Sequence, residues 1–435
     1  MVKLNLSKEF KTFFHGSVSS FLIIGLTGVA NLAIRLLLQR NLSETDYGFF
    51  YSALALILFV LGFTDLGLGQ ALTILTAKSN ELNDKKMIKE QLKNVLQLKI
   101  ITAVFFIIIL LIFSPVIINY YLKFPTRYWL FLILIPVVLF QSINSCFVGF
   151  LNGLKRYFTA LIIVLITALC WLSFIFTAVI LKKNLLEVNS IGYLISTFIP
   201  VFIIYLLIKY KFKINLHIFK KSGKYRKIIN FCGYLAISTA LLTSMYYLDT
   251  IMLTSLKGLN SSSKYNIALP LIHILQSFMV FVNVFTPIAS EMWVKKDHKQ
   301  LKQFANIALV LTILALPIVF IFFYYFGPEI VKLLFKTSEY KSLGMTVTIL
   351  SCGMLFFTLN NFFFQMLNSG HYEKKPVIIT VIGILINIVL NFILIKNYDY
   401  NGAAIATAMT YFIMSIVSYI TLNRSIITNE KNINE

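Results

Sequence analysis

The chain has 435 residues, 58% of them hydrophobic and only 13% charged. A soluble domain carries about 25% charged residues, so the composition excludes a soluble enzyme or binding module and leaves a polytopic membrane protein. A net charge of +22 would suggest nucleic acid in a soluble protein. Here the lysines lie between apolar runs, where topology accounts for them, and no nucleic-acid partner is expected.

Apolar windows broken by charge, proline and glycine predict about twelve transmembrane helices. They cover 15–36, 46–68, 97–121, 128–150, 158–181, 188–208, 229–253, 265–288, 304–326, 342–366, 376–396 and 401–422. The runs are apolar all round, as in "LIIVLITALCWLSFIFTAVIL", whereas barrel strands alternate over about 10 residues, so the fold class is all-α. Three lysines precede the first span and no small-residue cleavage site follows it, so no cleaved leader is expected. The second span is expected to continue as helix through "QALTILTAKSNEL", which holds no breaker. Cys146, Cys170, Cys232 and Cys352 fall inside apolar runs at no metal-ligand spacing and read as buried packers, and no metal or cofactor is expected.

Loop charge sets the orientation. With the amino terminus inside and alternating sides, about 27 of the 39 lysines and arginines are cytoplasmic, including the cluster "KYKFKINLHIFKKSGKYRK" at 209–227. Both termini are then cytoplasmic. The cluster divides the chain into an amino-terminal six-helix lobe (1–208), a basic linker (209–228) and a carboxy-terminal six-helix lobe (229–435). Two stretches relate the halves: "NSCFVGFLNG" from Asn144 and "NNFFFQMLNS" from Asn360 align without gaps, each at the end of the fourth span of its half. An even span count with both ends inside makes the repeats parallel, related by an axis along the membrane normal.

The segment "RLLLQRNLSETDYGFFYSALALILFVLGFTDLGLGQAL" (35–72) resembles the amino-terminal pattern of bacterial polysaccharide flippases. It holds Arg35 to Leu37, Glu44, Asp46-Tyr47-Gly48 and Asp65-Leu66-Gly67. "LNGLKRY" (151–157), "YLDTIMLTSL" (247–256) and the long stretch 367–410 agree with the same family. One departure is "RNLSETDYG", which replaces the usual Gly-Pro before the acidic residue. The resemblance implies the multidrug/oligosaccharidyl-lipid/polysaccharide exporter fold, with two pseudo-symmetric six-helix lobes around a central cavity. It also implies a multi-pass protein of the bacterial cytoplasmic membrane that turns undecaprenyl-pyrophosphate-linked oligosaccharide from the inner to the outer leaflet. Its partners would be that lipid-linked substrate, membrane lipids and other polysaccharide-assembly proteins.

Polar residues inside spans carry the functional expectations, because a mid-bilayer charge costs roughly 2.5–3.5 kcal/mol on insertion scales. Asn31 and Arg35 share one face of the first span and form a candidate cationic wall for a pyrophosphate or acidic sugar; the alternative is an arginine that snorkels to the headgroups. Gln141 and Asn144 on the fourth span, Asn361 and Gln365 on the tenth, and Asn387 with Asn391 on the eleventh are amide candidates for sugar hydroxyls, or for helix bridging. Asp249 lies deep in the seventh span on a stripe with Thr239, Thr243, Tyr246 and Thr250. It is a candidate for binding a coupling cation or proton, or for an interlobe ion pair with Arg35. His273 in the eighth span is a second candidate at that step. Asp65 marks the cytoplasmic end of the second span, with a structural role that includes pairing to a basic loop residue such as Lys155 or Arg156.

Three other functions compete. A drug/cation antiporter of the same superfamily would favour deep carboxylates in the amino-terminal lobe, and the first span holds none. A polysaccharide polymerase or ligase needs a sizeable outer loop bearing Arg and His, whereas the longest expected here, 327–341, has no histidine. No Walker motif supports ATP-driven transport. A non-enzymatic flippase is the expectation.

Overall fold

A computed structural model describes residues 6–210, 225–276, 289–335 and 337–434. Side chains are described for these except over parts of α1, α9 and α10, at 81 and at the carboxyl end. The basic linker at 209–227 falls largely outside the described residues. Among the described residues the chain is helical, with no strand.

The helices are α1 (Leu6–Asn41), α2 (Glu44–Asp65), α3 (Leu68–Glu81), α4 (Lys85–Val116), α5 (Tyr128–Leu134), α6 (Val137–Gly153), α7 (Tyr157–Ile180) and α8 (Leu185–Tyr210). They continue as α9 (Tyr225–Lys257), α10 (Leu259–Gln276), α11 (His298–Leu334), α12 (Tyr340–Ser369) and α13 (Lys374–Asn434). α13 is two arms joined at Asp399, whose backbone leaves the helical region at φ 53° and ψ −134°. Counting both arms of α13, and α5 with α6 as one crossing, each expected span has helix over its described residues, the span 265–288 being described only to Gln276. Eight stretches among the described residues are long and apolar enough to cross a membrane on composition alone. Large apolar side chains stand exposed at helical spacing along α4 (Ile101, Phe105, Ile108, Ile112) and α11 (Val310, Leu314, Ile318, Ile321). Such a surface belongs in hydrocarbon rather than water.

Two segments depart from the sequence expectation. The second span does not run on as one helix: Leu66 (φ 45°) and Gly67 (φ 65°) are left-handed and turn the chain into α3. The gain is packing, since Leu68, Leu72, Leu92, Val95, Phe147 and Phe150 from α3, α4 and α6 form one buried cluster. The expected outer loop 327–341 is also mostly helix. α11 continues through Pro317 and Pro328 to Leu334, and α12 begins at Tyr340.

The chain packs as two compact units. One comprises residues 1–42, 56–119 and 124–240; the other comprises 43–55, 120–123 and 241–435. The first half of α2 and the turn after α4 therefore pack with the carboxy-terminal helices. The two asparagines aligned in the sequence, Asn144 and Asn360, each bridge two helices inside their own unit, one as donor and one as acceptor. Asn144 Nδ2 donates to the Thr197 carbonyl at 2.9 Å, tying α6 to α8. Asn360 Oδ1 accepts from Ser418 at 2.6 Å, tying α12 to the second arm of α13.

Candidate functional site

The carboxy-terminal unit buries one carboxylate among neutral donors. Asp249 on α9 is 4% exposed. Its Oδ2 accepts from the Tyr265 hydroxyl of α10 at 2.7 Å and from Thr407 of the second arm of α13 at 2.5 Å. Its Oδ1 accepts from Asn391 Nδ2 of the first arm at 2.8 Å. Asn391 also donates to Asn387 Oδ1 at 2.9 Å, and Asn387 donates weakly to Thr407 and Thr410 at 3.3 and 3.4 Å. None of these partners carries a charge. Asn391 Oδ1 is buried with no hydrogen-bond donor. Hydroxyl and amide donors from three helices thus converge on one carboxylate, an arrangement in which the acid can hold or release a proton. Helical spacing explains the local part: Asn387 and Asn391 are one turn apart and share a face.

A second acid, half-buried in the amino-terminal unit, is neutralised. Asp65 at the end of α2 forms a salt bridge with Lys99 of α4, whose side chain is fully buried. Lys99 also donates to Ser145 Oγ of α6 at 2.5 Å. The sequence reading expected a basic partner from the turn at Lys155 and Arg156; the structure supplies Lys99, which that reading passed over. Lys155 and Arg156 are exposed in the turn after α6, with Lys155 at φ 59°. Lys99 was findable in principle, because an ionisable residue inside an apolar span needs a named partner.

The remaining candidates are dispersed. Asn31 is exposed on α1 and Arg35 is half-buried one turn on. Gln141, Asn361 and Gln365 are half-buried, and Asn361 donates to the Phe357 carbonyl of its own helix at 2.9 Å. Asn144 and Asn387 are buried with their amides engaged between helices. The structure therefore brings together Asp249, Asn387 and Asn391. Of the stripe on α9, Thr250 is buried and joins a neighbouring hydrogen-bonded ring, while the side chain of Thr239 lies outside the described residues. The side chain of His273 likewise lies outside the described residues.

Sequence and structure comparisons place this geometry in context. The family described as "Polysaccharide biosynthesis protein" matches residues 13–293, and the MatE family matches residues 235–393. Two membrane proteins of Methanocaldococcus jannaschii, both uncharacterized, are similar to the chain. MJ1068 is 29% identical over 408 residues, spanning 90% of this chain and 80% of its own length; MJ1375 is 26% identical over 317 residues, spanning 67% and 74%. Among solved structures, an inward-facing multidrug resistance MATE family transporter of the MOP superfamily matches with TM-score 0.80 at 15% identity, over 93% of this chain and 96% of the other. The lipid II flippase MurJ in an inward closed conformation matches with TM-score 0.69 at 16% identity, over 95% and 91%. A MOP superfamily transporter from Pyrococcus furiosus matches with TM-score 0.68 at 14% identity, over 94% of each chain. At these identities the likeness is one of fold.

Proposed function

Because the chain belongs to the polysaccharide biosynthesis protein family, we propose that it is a flippase moving polyprenyl-pyrophosphate-linked oligosaccharide repeat units across the membrane that holds it. The family match over residues 13–293 carries this reading. In a bacterial cytoplasmic membrane the carrier is undecaprenyl pyrophosphate, both termini are cytoplasmic, and the substrate comes from assembly enzymes on that side. Transport proceeds by alternating access of two six-helix lobes, 1–208 and 229–435, linked by the basic segment 209–228. The headgroup crosses through a cavity while the prenyl tail stays in lipid. Arg35 and Asn31 receive the pyrophosphate or acidic sugar, and Gln141, Asn361 and Gln365 bond to sugar hydroxyls. Asn144 and Asn387 act through helix bridging.

Asp249 supplies the coupling. A carboxylate held by three uncharged donors takes up a proton or small cation, with Asn391 Nδ2 and the Thr407 hydroxyl holding it in place. His273 belongs to the same step. Asp65 with Lys99, and the turn at Lys155 and Arg156, are structural.

The test is depletion of the protein from cells, followed by an impermeant sugar label. Build-up of lipid-linked oligosaccharide shielded on the inner leaflet, cleared by complementation, is the expected result. Unpolymerised units reaching the outer leaflet would sink the flippase reading and favour a polymerase. A second reading, a multidrug/cation antiporter, is favoured by the MatE match over residues 235–393. It predicts drug accumulation in depleted cells with normal lipid-linked intermediates.

A further inference from the structure

A second hydrogen-bonded cluster lies beside the Asp249 site and reaches the first half of α2. Thr250, Thr254, Ser262, Asn266 and Ser52 form a ring in which every residue is at most 4% exposed. Asn266 Nδ2 donates to the Ser262 carbonyl at 2.9 Å and lies 3.3 Å from Thr250 Oγ1 and 3.4 Å from Ser262 Oγ. Ser52 Oγ lies 2.7 Å from both Ser262 Oγ and Thr254 Oγ1. Thr254 Oγ1 donates to the Thr250 carbonyl at 2.7 Å.

A hydroxyl has one proton to give, and this fixes the direction of the ring. Thr254 spends its proton on Thr250, so it can only accept from Ser52. Ser52 has then used its own proton and must accept from Ser262. Ser262 in turn is left as an acceptor for Asn266. The chain reads Asn266, Ser262, Ser52, Thr254, Thr250, ending on the Thr250 carbonyl, with the 3.4 Å contact from Asn266 to the Ser262 hydroxyl its longest link. It touches the acid at both ends through neighbours in sequence. Thr250 follows Asp249, and Asn266 follows Tyr265, whose hydroxyl holds Asp249.

The α2 segment is seated on this ring without slack. A Cβ on Gly48 would meet the Leu259 carbonyl oxygen at 2.1 Å, so only glycine fits there. Thr45 donates to Asn260 at 3.0 Å, and the Tyr121 hydroxyl bonds the Ser52 carbonyl at 3.2 Å. Ser52 is the one member of the ring contributed by α2.

We propose that Asn266, Ser262 and Ser52 are positioning residues that transmit the state of Asp249 to the docking of residues 44–55 on α9 and α10. This rests on the coupling role given to Asp249. When Asp249 is charged, it anchors Tyr265, α10 keeps its register against α9, and the ring holds Ser52. When Asp249 is neutralised, Tyr265 loosens, Asn266 moves with it, and the segment 44–55 is released at the end expected to face outward.

The experiment reads docking directly in the full chain reconstituted in vesicles. Thr45→Cys with Asn260→Cys places a reactive pair across the contact, and the rate of cross-linking by a short bifunctional thiol reagent is measured. The native cysteines are first replaced by serine or alanine and transport is confirmed. Asp249→Asn is expected to slow cross-linking about fivefold, the scale of one neutral hydrogen bond. Ser262→Ala should also slow it and should abolish any further response to Asp249→Asn. Ser52→Ala, which changes a different helix, should reproduce this. Ser255→Ala, an exposed serine bonded within its own helix, should leave the response intact.

The proposal is overturned if Asp249→Asn still changes the rate by the same factor in the Ser262→Ala and Ser52→Ala backgrounds. It is also overturned if Asp249→Asn leaves the rate unchanged while abolishing transport, a result that would keep Asp249 as the coupling group. Unchanged transport in Asp249→Asn with a fivefold change in cross-linking would remove the coupling role and leave the relay standing.

Discussion

Two aspartates in this chain, one buried and one half-buried, meet opposite surroundings. Asp65 is fixed by Lys99, so its charge is cancelled within its own unit. Asp249 has Tyr265, Thr407 and Asn391, which orient the carboxyl group and bring no opposite charge to it. A neutralised pair has one stable state and serves as a fastener. A carboxylate among neutral donors has two, with and without a bound positive charge, and can serve as a switch. On the proposed mechanism the contrast gives stability to one acid and transport to the other.

The largest expected effect comes from breaking the fastener. Lys99→Met leaves Asp65 without its cation and should cost about 3–5 kcal/mol, measured as thermal unfolding in detergent. Adding Asp65→Asn should return most of that loss; failure to do so would show that the pair is not what matters. Next is Asp249→Asn, expected to lower the transport rate by at least about tenfold, or 1.4 kcal/mol in barrier terms, with little change in unfolding temperature. A transport rate within error of the unaltered protein would remove Asp249 from the mechanism. Tyr265→Phe takes away one of three donors and should fall between, at about threefold to tenfold. Asn144→Ala should cost only about 0.6 kcal/mol of stability and leave transport nearly unchanged, since its amide serves Thr197. A large rise in the substrate concentration needed for half-maximal transport would return Asn144 to the substrate.

The smallest effect is a pH dependence outside the spans. Glu339 sits between α11 and α12, and a 2.6 Å hydrogen bond from Lys264 holds its carboxyl below the ordinary value of 4.5. A depressed carboxylate stabilises the fold above the unfolded value, and that contribution is lost as pH falls through the lower folded one. Glu339 is half-exposed, so solvent screening leaves a few tenths of a kcal/mol. Unfolding temperature should drop slightly more below pH 4.5 in the unaltered protein than in Glu339→Gln.

The spans were legible in the sequence because hydrocarbon thickness imposes one long apolar run per crossing. Asp249 was legible as a deep acid on a polar stripe. Its partners were only half so: Asn387 and Asn391 stood out as an amide pair on their own helix, but joining them to Asp249 bridges 142 positions of sequence. Periodicity describes one helix face and holds no information about which face of another helix it meets. Tyr265 and Thr407 gave no signal at all, since an isolated hydroxyl in a span reads as packing. Lys99 falls inside the expected span 97–121, and periodicity along that helix does not name Asp65 as its partner. The break after Asp65 was invisible for a related reason. Nothing in "FTDLGLGQAL" forbids a helix, and only the shared core of α3, α4 and α6 makes a left-handed turn at Leu66 and Gly67 worth its cost.

The corner at Asp399 does more than reverse the chain. Asn391 and Thr407 each lie eight residues from it, one on either arm of α13. At about 1.5 Å per residue, both arms therefore bring a ligand of Asp249 to the same depth, some 12 Å below the corner. The hairpin is a folding rule with the site as its graduation mark. Ser261 pins its zero by donating to Asp399 at 2.9 Å. Adding one residue to either arm would swing that arm by about 100° and slide its ligand past the acid. The chain can vary its lipid-facing side chains freely, but the length of this corner is fixed by what happens two turns beneath it.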